Sequence, residues 1–134
     1  MVAFGIGPCL GRHGAAQPNI ELITWPNINP IGYTMHPLDG LKVVELSRIL
    51  AGPWIGQSLA DLGANVTKVE SPNGDDTRKW GPPFIERDGD KTAAYYYSAN
   101  RGKNCVVADF SQPEGRDTIV DLVREADVLI ENFK

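Results

Sequence analysis

The sequence predicts an α/β fold: a Rossmann-like half-sheet of parallel strands built from βαβ units. Three observations predict it. Leu41 to Glu70, LKVVELSRILAGPWIGQSLADLGANVTKVE, reads strand, loop, helix, strand. Asn104 to Ile130 repeats that order after a long insertion. Each strand is short and rich in Val, Ile or Leu, as expected for strands covered on both faces. Parallel neighbours need a crossover of about a dozen residues, and both connections are long enough.

In the first unit, Lys42 to Leu46 is the strand, with Val43, Val44 and Leu46 as its apolar positions. Ser47 to Gly52 is the turn, and Pro53 suits the first helical position. Trp54, Ile55, Leu59 and Leu62 recur at helical spacing. Gly63 is a natural stop, and Asn65 to Val69 is the next strand. Ser71 to Thr92 is then expected to be a long irregular loop, because Pro72, Gly74, Pro82, Pro83 and Gly89 interrupt it. Its Asp75, Asp76, Arg78 and Trp80 read first as a solvated stretch with one local ion pair, and alternatively as a lid. Ala93 to Asn100 reads as a short helix whose Tyr95, Tyr96 and Tyr97 are packing residues by default.

In the second unit, Asn104 to Phe110 is the third strand. Ser111 and Glu114 have the spacing of a capping box. Ile119, Val120, Leu122, Val123 and Ala126 form one apolar helical stripe, and Asp127 to Ile130 is the fourth strand. A parallel sheet seldom stops directly after a strand with no covering helix, so the fold is expected to be truncated or to depend on something else to complete it. The preceding residues 1–39, broken by Gly and Pro, are expected to be an irregular arm ahead of a domain at 40–134, and Met35 is an alternative start.

Composition excludes several classes. A hydrophobic content of 42% with 22% charged residues is that of an ordinary globular chain. A net charge of −4 without a basic stripe gives no support to nucleic-acid binding. No apolar run has the length of a membrane span. Cys9 and Cys105 stand apart from each other and from any Cys/His cluster, so free thiols in a reducing compartment are expected and no metal site is. His13 and His36 lie in the arm.

Ligands of open α/β sheets bind beyond the carboxyl ends of the strands, at the switch point. If the fourth strand pairs beside the first, Ser47 to Gly52 and Asn132 to Lys134 converge there. The glycine fingerprint of dinucleotide folds is absent, since only Gly52 is in place and Pro53 removes an amide donor; a redox dinucleotide is disfavoured. No P-loop, nucleophile elbow or zinc-protease motif occurs. Asp61, Asp117, Asp121 and Glu125 suit solvated helix faces.

The segments LDGLKVVELSRILAGP, LADLGANVTKVE, GDDTRKWGPPF, NRGKNCVVADF, PEGR and ADVLIENFK, in order from about Pro37 to Lys134, resemble the N-terminal part of family III CoA-transferases of the CaiB/BaiF type. GDDTRKWGPPF is most similar to the dicarboxylate and glutarate members. The resemblance implies a Rossmann-like domain in a homodimer of interlocked chains, with acyl-CoA and a carboxylic acid as substrates. It implies a cytoplasmic enzyme, or a mitochondrial matrix one in a eukaryote. It places Ile49 and Leu50 at the thioester end of coenzyme A, Ala108 and Ser111 at the adenine, and Asn132, Phe133 and Lys134 beside the nucleotide. Leu50 replaces the glutamine of formyl-CoA transferases, which argues for a different acyl group. Ser71 replaces an arginine that often meets CoA phosphate. The family's aspartate nucleophile lies beyond Lys134, so no catalytic residue is assigned here and the chain alone is expected to be inactive. The alternatives are the alpha-methylacyl-CoA racemase branch and a non-enzymatic α/β binding module. Apolar surface at the open sheet edge is expected to drive self-association.

Overall fold

A computed structural model describes residues 7–8, 36–87 and 89–133. Its strands are β1 (Gly7–Pro8), β2 (Lys42–Glu45), β3 (Asn65–Glu70), β4 (Phe84–Arg87), β5 (Asp90–Ala93), β6 (Asn104–Val107) and β7 (Val128–Ile130). The helices are α1 (Ala51–Asp61), α2 (Ala94–Ser98) and α3 (Pro113–Arg124), with a 3-10 turn at Asp76–Lys79. Most of the expected N-terminal arm, with Met35 and His13, lies outside the described residues. Of residues 36–39, Leu38 donates its amide to the Leu62 carbonyl at 3.0 Å and packs on the sheet.

The main sheet has the order β1-β6-β3-β2-β7. The β6, β3, β2 and β7 strands are parallel, and β1 joins the far edge antiparallel to β6. In chain order the parallel strands therefore lie third, second, first, fourth, which is half of a doubly wound sheet with its switch point between β2 and β7. Register pairs Val43 with Val66 on one side and with Val128 on the other.

Alternation along the strands divides the core between two faces. Val43, Val66 and Ile130 meet Leu59 and Ala60 of α1. Val44, Leu46, Val69 and Ala108 meet Ile119, Leu122 and Val123 of α3. The stripe expected on α3 is the one that packs, except that Val120 faces outward.

On α1 the buried face differs from the expected one. Trp54 and Ile55 are 46% and 56% exposed, and Gly52, Pro53, Gly56 and Gln57 lie inside. The glycines let the helix lie close on β2. A Cβ at Gly52 would fall 2.1 Å from Ser47 Oγ, and one at Gly56 would fall 1.9 Å from Glu45 Oε2. Pro53 sits at the third helical position, where its amide would still have had no partner within the helix. Gly63 does end the helix: at φ +98°, it donates to Ala60 while Ala64 donates to Leu59, a Schellman closure.

The capping box is not formed. Gln112 is the N-cap, Pro113 opens α3, and Ser111 instead binds the Asp109 carboxylate through both its amide and its hydroxyl. The segment expected to be an irregular loop also carries structure. After the 3-10 turn, β4 and β5 form an antiparallel hairpin pairing Phe84 with Ala93.

Candidate functional site

The loop after β2 is held at four consecutive residues. Lys68 Nζ donates to the Ser47 carbonyl at 2.9 Å. The Asn132 side chain takes the Arg48 amide at 3.1 Å and returns its own amide to the Arg48 carbonyl at 2.9 Å. Asp75 Oδ2 accepts from the Ile49 amide at 3.2 Å, and the Leu50 carbonyl accepts the first helical bond from Trp54. Ile49 has φ +70°, a left-handed conformation rare for a β-branched residue. Such strain persists where surrounding contacts over-determine it, as they do here.

The reciprocal bonds of Asn132 join the ends of β2 and β7, so the two segments expected to converge do meet at the switch point. Ile49 is exposed and Leu50 is half-buried as the N-cap of α1. Phe133 is 62% exposed, and its ring stands edge-on to Phe110 with centroids 6.1 Å apart. That contact brings the end of β6 across to the end of β7. Ala108 is buried in the α3-side core and donates its amide to Glu70, whereas Ser111 is exposed. The two bonds from Ser111 hold the Asp109 carboxyl below the usual carboxylate range. Lys134 lies outside the described residues.

Beneath this surface is a network that the sequence reading missed. Glu45, Lys68, Glu70, Asp75 and Lys103 are all buried on the α1 side of the sheet. Lys68 Nζ sits 3.1 Å from both Glu45 Oε1 and Asp75 Oδ2. Lys103 Nζ meets Glu45 Oε2 at 2.7 Å, the Pro53 carbonyl at 2.8 Å and Asn100 Oδ1 at 3.0 Å. Arg78 grips Glu70 with Nε at 2.8 Å and Nη2 at 3.0 Å, and lies 3.8 Å from the centre of the Tyr96 ring. The Tyr96 hydroxyl donates to Glu70.

Three carboxylates thus face three cations, so the cluster is neutral as a whole and each charge has a hydrogen-bonding partner, the condition for tolerating charges away from water. The expected solvated stretch is therefore corrected in part: Asp75 and Arg78 are structural partners of the sheet, while Asp76, 3.9 Å from Arg48, and Trp80 stay exposed. Tyr96 is likewise a hydrogen-bonded member of the cluster as well as a packed ring.

Burial alone would raise the Asp75 and Glu70 carboxyls. Together the Lys68 ammonium and the Thr77 hydrogen bonds outweigh it for Asp75, and Arg78 with Tyr96 and Lys68 outweigh it for Glu70, so both carboxyls lie below the ordinary range. Burial would lower Lys68, but Glu45 and Asp75 hold its ammonium above the usual value. One signal for the cluster was present in the sequence: Glu45, Lys68 and Glu70 share the inward phase of Val43 and Val66.

The chemistry of this edge is that of a binding surface. The loop offers an apolar tip and the β7 end an exposed aromatic ring, both on a fixed frame. Asp75, the carboxylate nearest the loop, is occupied by Lys68, Thr77 and Ile49. Asp61, Asp117, Asp121 and Glu125 are exposed on their helices or just beyond them. Among the described residues no helix is long and apolar enough to cross a membrane, and no group of three or more His, Cys, Asp or Glu side chains is placed to hold a metal ion.

Comparison with known proteins agrees with this architecture. A succinate–glutarate CoA-transferase of Agrobacterium fabrum is 61% identical over 101 residues, which are 73% of this chain and 25% of that protein. The human succinyl-CoA:glutarate CoA-transferase is 45% identical over 98 residues, covering 72% of this chain and 22% of that one. A crystal structure of a CAIB/BAIF family protein from Brucella suis superposes with a TM-score of 0.73 at 67% identity, over 74% of this chain and 26% of that one. The chain thus spans about a quarter of the length of these relatives. Residues 38–134 match the model of CoA-transferase family III, and with the switch-point geometry and these relatives, the chain belongs to that family.

Proposed function

We propose that residues 40–134 form part of the CoA-binding domain of an enzyme that moves CoA from an acyl-CoA donor to a carboxylic acid, with a dicarboxylate as the favoured acceptor. The observation that carries this reading is the fixed Ser47–Leu50 loop set against Asn132 and Phe133 at the switch point. Its support from relatives is the naming of several as succinyl-CoA:glutarate or succinyl-CoA:mesaconate transferases. Ile49 and Leu50 take the thioester end. The exposed Phe133 ring, braced by Phe110, offers a flat apolar face to the adenine, with Ala108, Ser111 and Asn132 as the further candidate contacts.

In this reading the chain contributes binding and orientation, and the nucleophile is an aspartate supplied from outside residues 1–134. Its carboxylate attacks the thioester carbonyl and expels CoA thiolate, leaving a mixed anhydride. The thiolate then attacks the aspartyl carbonyl of that anhydride, releasing the donor acid and leaving an aspartyl-CoA thioester for the acceptor. Exposed Trp54 and Ile55 on α1 suit contact with further protein, in keeping with a homodimer. A cytoplasmic or mitochondrial matrix setting is part of the same proposal.

Calorimetric titration of the 134-residue chain with CoA, together with an assay of CoA transfer from succinyl-CoA to glutarate, tests this. Saturable CoA binding without transfer is expected. No binding would overturn the assignment of the surface, and measurable transfer would overturn the external nucleophile.

A further inference from the structure

We infer that Asp75, fixed by Lys68, is a positioning residue that holds Ile49 in its left-handed conformation and thereby sets affinity for the thioester end of the ligand. The second half of this statement rests on the proposed function; the first half does not. Asp75 is 1% exposed and comes from the segment after β3, far in sequence from the loop it holds. Its Oδ1 is taken by the amide and hydroxyl of Thr77, at 3.0 and 2.8 Å, which fixes the carboxylate plane. Its Oδ2 is thereby aimed at the Ile49 amide and at Lys68 Nζ. The same ammonium holds the Ser47 carbonyl, so one ion pair grips both ends of Ser47–Ile49. The Asp75 amide is itself held by Glu70 Oε2 at 3.1 Å, and Glu70 by Arg78, which ties the clamp to the cluster.

An isoleucine at φ +70° does not keep that conformation unaided. With the carboxylate removed, Ile49 relaxes toward negative φ, and the binding-competent loop falls to about a tenth of the population. Apparent affinity falls by the same factor. A glycine at position 49 has no such preference, because it adopts positive φ without steric cost.

The test is a cycle in the 134-residue chain with Asp75→Ala, Ile49→Gly and the double variant, reading the dissociation constant for CoA and the thermal midpoint. Asp75→Ala is expected to weaken CoA binding about tenfold in the Ile49 background and less than about twofold in the Ile49→Gly background. The thermal midpoint should drop comparably in both backgrounds. Equal loss of affinity in both backgrounds would make Asp75 merely structural and overturn the inference.

If Asp75→Ala does not fold, Asp75→Asn serves in its place. It keeps an acceptor for the Ile49 amide but loses the pair with Lys68, and a loss of about threefold confined to the Ile49 background is expected. Amide hydrogen exchange in the absence of ligand separates the two readings. Faster exchange at Ile49 in Asp75→Asn, with Val43 and Val66 unchanged, supports the clamp even if the wild-type chain binds no CoA, in which case the proposed function alone fails. Unchanged exchange at Ile49 overturns the clamp.

Discussion

Replacing Gly56 with alanine should destabilise the protein, although helix propensity predicts the reverse. In an exposed helix interior the change would gain about 1 kcal/mol. Here the new Cβ would lie 1.9 Å from Glu45 Oε2, 3.0 Å from its Cδ and 3.2 Å from Lys103 Nζ. To reach ordinary contact at about 3.4 Å, the carboxylate has to move by roughly 1.5 Å. That carboxylate is pinned by Lys103 at 2.7 Å and by Lys68 at 3.1 Å, with all three side chains inaccessible to water. A shift of that size breaks at least the Lys103 contact, and losing one partner of a buried pair costs about 3–5 kcal/mol. Partial retreat of α1 and the propensity gain offset some of this, so a net loss of about 2–4 kcal/mol is expected. Urea unfolding followed by circular dichroism measures it. Ser58→Ala, on the exposed side of the same helix, is the control and should stay within about 0.5 kcal/mol. A midpoint for Gly56→Ala at or above the wild-type value would refute the close approach of α1 to Glu45.

The cluster also sets a pH dependence. Asp75 and Glu70 are depressed in the folded state, so their stabilisation is complete above the unfolded carboxylate values near about 4 and is lost as pH falls through the lower folded values. Lys68 is raised, so its contribution is complete below about 10.4 and is lost as pH rises through its folded value. Urea midpoints should be flat between about pH 5 and 10 and fall at both ends; a midpoint that increases from pH 5 to pH 3 would contradict the pairing. Asn132→Ala removes both bonds to Arg48 and should cost about 1 kcal/mol and several-fold in CoA affinity, read by thermal melting and calorimetry. Phe133→Ala, at an exposed ring, should weaken CoA binding with the melting temperature unchanged, and a lowered melting temperature would assign the ring to packing.

Much of the frame was legible because it is local. The apolar run of Val43–Leu46 and the 3.6 periodicity of Ile119–Ala126 are written within a few residues, and Gly63 stops α1 by its own backbone freedom. The location of the candidate site followed from topology, since a loop after the first strand of such a sheet faces the switch point wherever the fourth strand pairs beside it. The buried face of α1 was not legible. Trp54 and Ile55 carry the apolar signal, but α1 approaches β2 so closely at Gly52 and Gly56 that a Cβ at either would run into Ser47 or Glu45.

The sequence by itself determined the chain order of the parallel strands with α1 and α3, the loop at the sheet edge and the family to which the chain belongs. Only the tertiary structure decided which charges are buried and what they hold. Glu45, Lys68, Asp75 and Lys103 come from separate segments, and nothing local in the sequence pairs one with another. Coulombic partnership depends on distance in space, and only the pairing of β2, β3 and β6 brings those groups within reach of one another and of the Ile49 amide.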